Sequence, residues 1–476
     1  MFWIGLLTAS YFITLMTIAW KSKRKLNSEE VFFASRKMTS SSVCFSMSAT
    51  EISTVTFVGI PQAAFASDWN ALFLCVGFLL GKITISFTIL PLYLKLKIAS
   101  VYEFIGETYG PSTQKLTATL FMTGRVLGSG VRLFLAAYAL SVFFSFSTSL
   151  MIPLLTLTVT LYTLTGGLRS VIQTDTFQWW VFMGSAWILL LYIFFQTPFD
   201  LNDLYQWLHH HQKLNWTSGH PLWSWDRKDA LITGFIGSFL LTLASHGTDQ
   251  DVIQRLLATR TRSAQKALIG SGILNFVVWI TFLMIGSYLA YRYDGQTIDS
   301  SRVFLTYIRT ELPLALQSLL IVGLFAAAMS SLDSTLWALT TNLIVDLKWN
   351  LKQKKRGVYL IAIATALSAE IVHQIFIWSK SKEILHLGIS MITVVYAGLL
   401  SLFLFAFQKR KGNEQIGKVG LLLGIFSALI LFLLSEFTNL FSLSWYVWYP
   451  GSFIFSYGMM RLLEKMNEKQ TRQIKL

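Results

Sequence analysis

The chain reads as an all-α polytopic membrane protein of about thirteen transmembrane helices, and three observations predict it. Of its 476 residues 54% are hydrophobic and only 13% are charged, about half the charged share of a soluble protein. Apolar runs such as "FLMIGSYLA" and "LLLGIFSALILFLL" recur from end to end, at the ~20-residue length that crosses a bilayer. The loops between them alternate in charge: 28 of the 39 Lys and Arg fall on one side, 8 on the other and 3 inside spans. That asymmetry is the positive-inside rule. The +15 net charge therefore orients the chain in a lipid bilayer and calls for no nucleic acid.

The spans fall near 1–20, 43–66, 70–94, 117–141, 149–166, 174–196, 229–246, 267–291, 313–345, 357–378, 384–407, 419–436 and 442–461. The first has no basic residue ahead of its apolar run and "KSKRK" (21–25) behind it. This predicts an uncleaved helix with its N-terminus outside, not a signal peptide. The second span holds "SMSATEISTVTFVGIP" (46–61), with Ser46, Ser48, Thr50, Ser53, Thr54, Thr56 and Glu51 where a membrane helix should be apolar. Gly59 and Pro61 are expected to loosen it. Cys44 and Cys75 lie within the second and third spans, so they imply neither a disulfide framework nor a metal site. Lys82, also in the third, is expected to pair or snorkel.

In the fourth span Arg125 and Arg132 stand seven residues apart, two turns along one helical face. Glu51 is expected to pair with one of them, and a free arginine could hold a substrate carboxylate bidentately. The fifth and sixth spans flank an inner loop with Arg169. The outer loop 197–228 carries His209, His210 and His211, read as a solvated run beside interfacial Trp residues because a metal needs convergent ligands. Asn215-Trp216-Thr217 matches a glycosylation sequon, relevant only in a secretory pathway. After the seventh span, residues from His246 through "DQDVIQRLLATRTRSAQKA" (249–267) read as an inner loop. The ninth span contains the second polar stretch, "GLFAAAMSSLDSTLWALTTNLIVD" (323–346). Glu370 and His373 share a face of the tenth and are expected to be a hydrogen-bonded packing pair. The last four spans are recognised by hydropathy alone.

Interrupted or polar-rich helices in two halves of a transporter mark its binding site, because unwound backbone can supply carbonyls to an ion. The second and ninth spans both fit. Sodium is a hard cation that takes oxygen ligands, and Ser330 and Ser331 place two adjacent hydroxyls on a small-residue helix. Charges inside the membrane are costly, so Glu51, Lys82, Arg125, Arg132, Asp333 and Glu370 each need a partner or a water-filled cavity.

These stretches resemble the sodium:solute symporter family, whose members take up sugars, sialic acids, proline, pantothenate, short carboxylates or iodide. The resemblance is carried by "YTLTGGLRSVIQTDTFQ" (162–178), "SEEVFFASRKM" (28–38), "SVYEFIGETYG" (100–110), the 249–267 stretch and "AAAMSSLDSTL" (326–336). It implies a single membrane domain with a LeuT-type five-plus-five inverted repeat. Repeat one would be 43–196 and repeat two 229–407, with a leading helix at 1–20, and two trailing helices and a cytoplasmic tail in 408–476. It implies a sodium site from the carbonyls of Ala49, Ile52 and Ala327 and the hydroxyls of Ser330 and Ser331. A second ion, sodium or proton, is implied at Asp175, Asp333 and Ser334. Ser53 and Thr56 share a helical face and would meet the solute, with Glu51, Arg125 and Arg132 nearby.

The expected function is sodium-coupled import of a small polar solute by alternating access, first a sugar or an acidic sugar such as sialic acid. The alternative is a sodium- or proton-coupled transporter of a small carboxylate or amino acid. A polytopic membrane enzyme centred on His246–Asp249 is remote, because no second motif supports it. The expected partners are the solute and the bilayer, with no nucleic acid and no obligate protein partner. The expected location is the plasma or inner membrane, with a cytoplasmic C-terminus.

Overall fold

The structure, a computed structural model, describes residues 2–22, 28–96, 98–144, 146–164, 166–196, 201–217, 219–227, 230–379, 384–408, 413–437 and 443–474. Among these residues there is no strand. The first ten helices are α1 (Phe2–Lys21), α2 (Ser28–Phe33), α3 (Ser40–Glu51), α4 (Thr54–Ala66), α5 (Ala71–Phe87), α6 (Ile89–Leu96), α7 (Val101–Tyr109), α8 (Pro111–Ser141), α9 (Thr148–Thr163) and α10 (Leu168–Gln196). Then come α11 (Leu201–His210), α12 (Leu231–Gly247), α13 (Gln250–Leu257), α14 (Thr261–Arg292), α15 (Val303–Glu311) and α16 (Leu314–Val345). The chain closes with α17 (Lys354–Ser379), α18 (Ile384–Phe407), α19 (Glu414–Phe437) and α20 (Trp445–Ile474). Each of the thirteen expected spans is one of these helices or a bent pair of them. Among the described residues seven helices are long and apolar enough to cross a membrane alone, and up to ten spans result if each bent pair counts once.

The bends decide where function can sit. α3 and α4 meet at 65°, α5 and α6 at 41°, and α12 and α13 at 59°. α3 starts where Thr39 accepts from Ser42 N and ends at Ile52, whose backbone is extended (φ −73°, ψ 132°). Ser53 is extended too (φ −142°, ψ 178°), and its hydroxyl accepts from Val55 N to start α4. Ser and Thr favour such caps over helix interiors because their hydroxyls compete for backbone groups. The break is therefore at 52–53, beside the carbonyls the resemblance implies at Ala49 and Ile52, while Gly59 and Pro61, expected to loosen the span, lie inside α4. α4 runs through Pro61, whose carbonyl packs on α14 so closely that a Cβ on Gly286 would come within 2.4 Å of it.

One further expectation is corrected, the reading of 249–267 as a loop, and the two polar spans differ in form. α16 is unbroken over its whole length, and its most apolar window is 78% buried against 17% for α1. It is the central post of the molecule, and its small residues permit packing on every side. The second discontinuity belongs to the seventh span, at Thr248–Asp249, where Asp249 caps α13 by accepting from Asp251 N. Residues 250–257, expected as a loop, form a helix whose every residue is buried. Arg255 thus leaves the inner-loop charges and enters the core. The basic residues at 23–25, 97 and 409–411 lie outside the described residues.

In the connection between α10 and α12, His211 stacks on Trp207 with ring centroids 4.1 Å apart. Among the described residues no cluster of His, Cys, Asp or Glu could hold a metal. The same connection binds the α4–α5 corner. Asn215 O accepts from Trp69 N (2.9 Å), Lys213 Nζ donates to Phe65 O (2.7 Å) and Ser67 O (2.9 Å), and His220 Nε2 pairs with Asp68 (2.9 Å). Partial burial pulls the Lys213 ammonium below its ordinary pKa. Glu370 and His373 lie 3.5 Å apart, and Ser149 donates to Glu370 (3.1 Å).

Candidate functional site

The α3–α4 break frees backbone carbonyls at mid-protein, since the last turn of a helix has no partners of its own for them. α16 brings two hydroxyls to that point. Ser330 Oγ bonds Ala49 O (2.9 Å) and lies 3.4 Å from Ala327 O. Ser331 Oγ lies 3.1 Å from both Ile52 O and Thr50 O. All five oxygens expected for sodium therefore converge, with Thr50 O as an addition the sequence reading missed. The cluster is neutral, compact and buried, and its donor chemistry fits a hard monovalent cation.

The second expected group also comes together, but around a guanidinium. Arg255 of α13 bonds Asp175 Oδ2 (3.1 Å), Thr50 Oγ1 (2.8 Å), Ser46 Oγ (2.9 Å) and the Ser334 hydroxyl. Ser46 Oγ also donates to Asp175 (2.7 Å). Asp333 accepts from Ser334 N (2.6 Å) and Thr174 Oγ1 (3.4 Å). Asp175 Oδ1 is buried with no hydrogen-bond partner. Such an orphaned carboxylate oxygen is costly unless something positive completes it.

Beside the break opens a cavity of about 270 Å³, the size of a small-solute site. Ser53, Thr56, Glu51, Arg125 and Arg132 all line it, as expected. Their partners differ from expectation. Glu51 pairs with neither arginine. Lys82 Nζ donates to both its oxygens (2.8 and 2.7 Å), Asn275 Nδ2 bonds Oε2 (2.5 Å) and His246 Nε2 approaches Oε1 to 3.1 Å. Lys82 was the one buried charge without a firm account, and Glu51 supplies it. Ser48 donates to Asn275 (2.7 Å) and accepts from Trp179 (2.9 Å). Each polar residue from Ser46 to Ser53 thus has a partner, which explains the oxygen content of this span.

Arg125 is held by Asp251 (2.5 Å) and Asp249 (3.3 Å) at the α12–α13 break. Arg132, one face and two turns further along α8, has no hydrogen bond or ion pair to any described residue, yet faces the same cavity. Asp251, Arg255 and Asn275 were not among the expected site residues, and His246 and Asp249 were weighed only as the centre of an enzyme. The Asp251–Arg255 spacing of four was the available signal, since i,i+4 partners face each other only on a helix.

Comparison with known proteins follows from this geometry. The family model described as the sodium:solute symporter family matches residues 31–424. The sodium/sialic acid symporter SiaT of Proteus mirabilis is 25% identical over 431 residues, covering 86% of this chain and 85% of the relative. The sodium/sialic acid symporter NanT of Aliivibrio fischeri is 24% identical over 429 residues, covering 86% and 83%. A solved Na+-coupled sialic acid symporter in a substrate-bound outward-open state matches with a TM-score of 0.84 at 22% identity, over 98% of both chains. Mhp1, a nucleobase-cation-symport-1 family transporter, matches at 0.57 and 13% identity, over 93% and 96%. At these identities the structural matches are likenesses of fold.

Proposed function

The chain belongs to the sodium:solute symporter family, a transporter and not an enzyme, and we propose that its solute is an anionic sugar of the sialic acid type. One observation carries this reading: Arg132, which has no hydrogen-bond or ion-pair partner among the described residues, stands on the wall of the cavity that adjoins the proposed sodium oxygens. A half-buried cation with its donors turned to a cavity is suited to a carboxylate, which it can grip through two parallel bonds. Ser53 and Thr56 lie at the N-terminus of α4, where the helix dipole favours an anion. The remaining polar wall, Glu51, Lys82, His246 and Asn275, suits hydroxyl groups. Two relatives bearing the name sodium/sialic acid symporter support the choice.

Sodium is a transported co-substrate in this reading. It is held by Ala49, Ile52 and Ala327 carbonyls and by Ser330 and Ser331, with Thr50 O beside them. Its cage joins α3, at a break, to α16. A second cation is proposed at Asp333, Ser334 and the open oxygen of Asp175. The two sharply bent pairs, α3–α4 and α12–α13, each open one of the proposed repeats, 43–196 and 229–407. We place the protein in the plasma or inner membrane, N-terminus outside, and infer no obligate protein partner.

The test is the thermal stability of the purified protein in NaCl or KCl, with sialic acid, neutral sugars, small monocarboxylates and amino acids. A ligand of the folded state raises its apparent stability. Sialic acid is expected to stabilise only in sodium, and Ser330→Ala with Ser331→Ala to abolish that effect. A response to a neutral sugar but not to sialic acid removes the anion reading. A response confined to a monocarboxylate or an amino acid selects the alternative substrate.

A further inference from the structure

A chain of buried ion pairs runs from the solute cavity to the sodium cage without a gap. At the cavity Tyr396 of α18 donates to Asp249 (2.6 Å), and Arg125 of α8 bridges Asp249 (3.3 Å) and Asp251 (2.5 Å). Asp251 offers its other oxygen to Arg255, which also bonds the Asp251 carbonyl (2.6 Å). Arg255 then reaches Asp175 (3.1 Å) and Thr50 Oγ1 (2.8 Å). Thr50 belongs to the cage, since its carbonyl lies 3.1 Å from Ser331 Oγ. No charged side chain along this path is more than 9% exposed.

We propose that this ladder, Asp249–Arg125–Asp251–Arg255–Asp175, couples solute binding to sodium binding, with Asp251 as its shared rung. The inference rests on the sodium and solute sites assigned above and adds how each senses the other. In a buried site charges are poorly screened, so changing one pair changes the pull on the next. An anion in the cavity draws on Arg125 and loosens its hold on Asp249 and Asp251. Arg255 then commits more fully to Asp251, which frees Asp175 and Thr50 toward the cation. The ladder also crosses elements that do not touch as neighbours in sequence, α8, α13, α10 and α3. Coupling of this kind is reciprocal: sodium must raise solute affinity by the same factor that solute raises sodium affinity.

A competing route exists through the backbone, because Ile52 of the cage and Ser53 of the cavity are adjacent. Asp251→Asn separates the two. Asp251 touches neither cavity nor cage, so the variant is expected to bind sodium alone and sialic acid alone. The measurement is sialic acid affinity by titration of the purified full chain at low and saturating NaCl, and sodium affinity with and without sialic acid. In the wild type each ligand is expected to tighten the other about tenfold or more. In Asp251→Asn both factors fall together toward one, and Asp251→Glu restores them in part. Wild-type factors retained in Asp251→Asn overturn the ladder and assign coupling to the break. No sodium-linked binding of sialic acid by the wild type overturns the solute assignment, and this inference with it. Should Asp251→Asn not fold, Arg125→Lys keeps the charge but cannot fork between two carboxylates, and is expected to lose coupling likewise.

Discussion

Arg125 and Arg132 carry the same charge on the same face of α8, and their surroundings give them different work. Two aspartates from the α12–α13 break consume Arg125, while Arg132 keeps its donors for the cavity. Arg132→Gln is expected to weaken sialic acid binding in saturating sodium by about 1.5–3 kcal/mol, roughly ten- to a hundredfold, the worth of a hydrogen bond to a charged group. Sodium affinity measured without solute should not move. An unchanged sialic acid affinity would take Arg132 out of the site. Lys82 makes the opposite case, a charge fully spent on Glu51 and Ser271. Lys82→Met removes the ammonium that neutralises Glu51, leaving it only Asn275 and His246, and is expected to cost about 3–5 kcal/mol, read as a lowered Tm. Lys82→Met with Glu51→Gln should recover much of it. The proposed sodium oxygens were expected through the family resemblance, while the residues alone offered two adjacent hydroxyls and a hydroxyl-rich span, both rare in a bilayer. Arg255 was not legible in the sequence, because its neutralising partners Asp175 and Asp251 lie on different helices, and only folding makes a pair of them.

At the level of elements, the breaks are made by side chains that stop helices. Ser53 and Asp249 each cap the half-helix that follows, so hydroxyls and carboxylates near mid-span serve as caps before they serve as ligands. Hydropathy could find the spans but not the second break, since α13 is eight residues long and heavily polar, and so averages like a loop. Its charges are buried against other helices instead of solvent. Proline misled in the same way: Pro61 looked like a breaker, but a helix can continue through it when a neighbour packs close. That neighbour is Gly286, and Gly286→Leu should push α4 away from α14. The expected cost is about 1–3 kcal/mol of overpacking strain. Sodium should then raise Tm less than in the wild type, because the displaced α4 carries the break with it. A full sodium response in a destabilised Gly286→Leu would mean that the break is held from α16 and not from α14.

For the whole molecule, orientation follows from charge. The basic loops predict a cytoplasmic C-terminus, so a C-terminal green fluorescent protein fusion should fluoresce while an alkaline phosphatase fusion stays inactive. The reverse pattern would invert the transporter and turn the proposed import into export. In that frame the connection between α10 and α12 faces outward, and its bonds to the α4–α5 corner acquire a practical meaning. Lys213, Asn215 and His220 hold the far end of the very helix whose near end bears the cavity and the sodium oxygens. With the proposed orientation, residues 201–217 and 219–227 would be an external handle on an internal machine. A nanobody or antibody fragment that stiffens this loop needs no access to the cavity to stall turnover, and one that pries Lys213 from Phe65 and Ser67 should change sodium affinity from a distance.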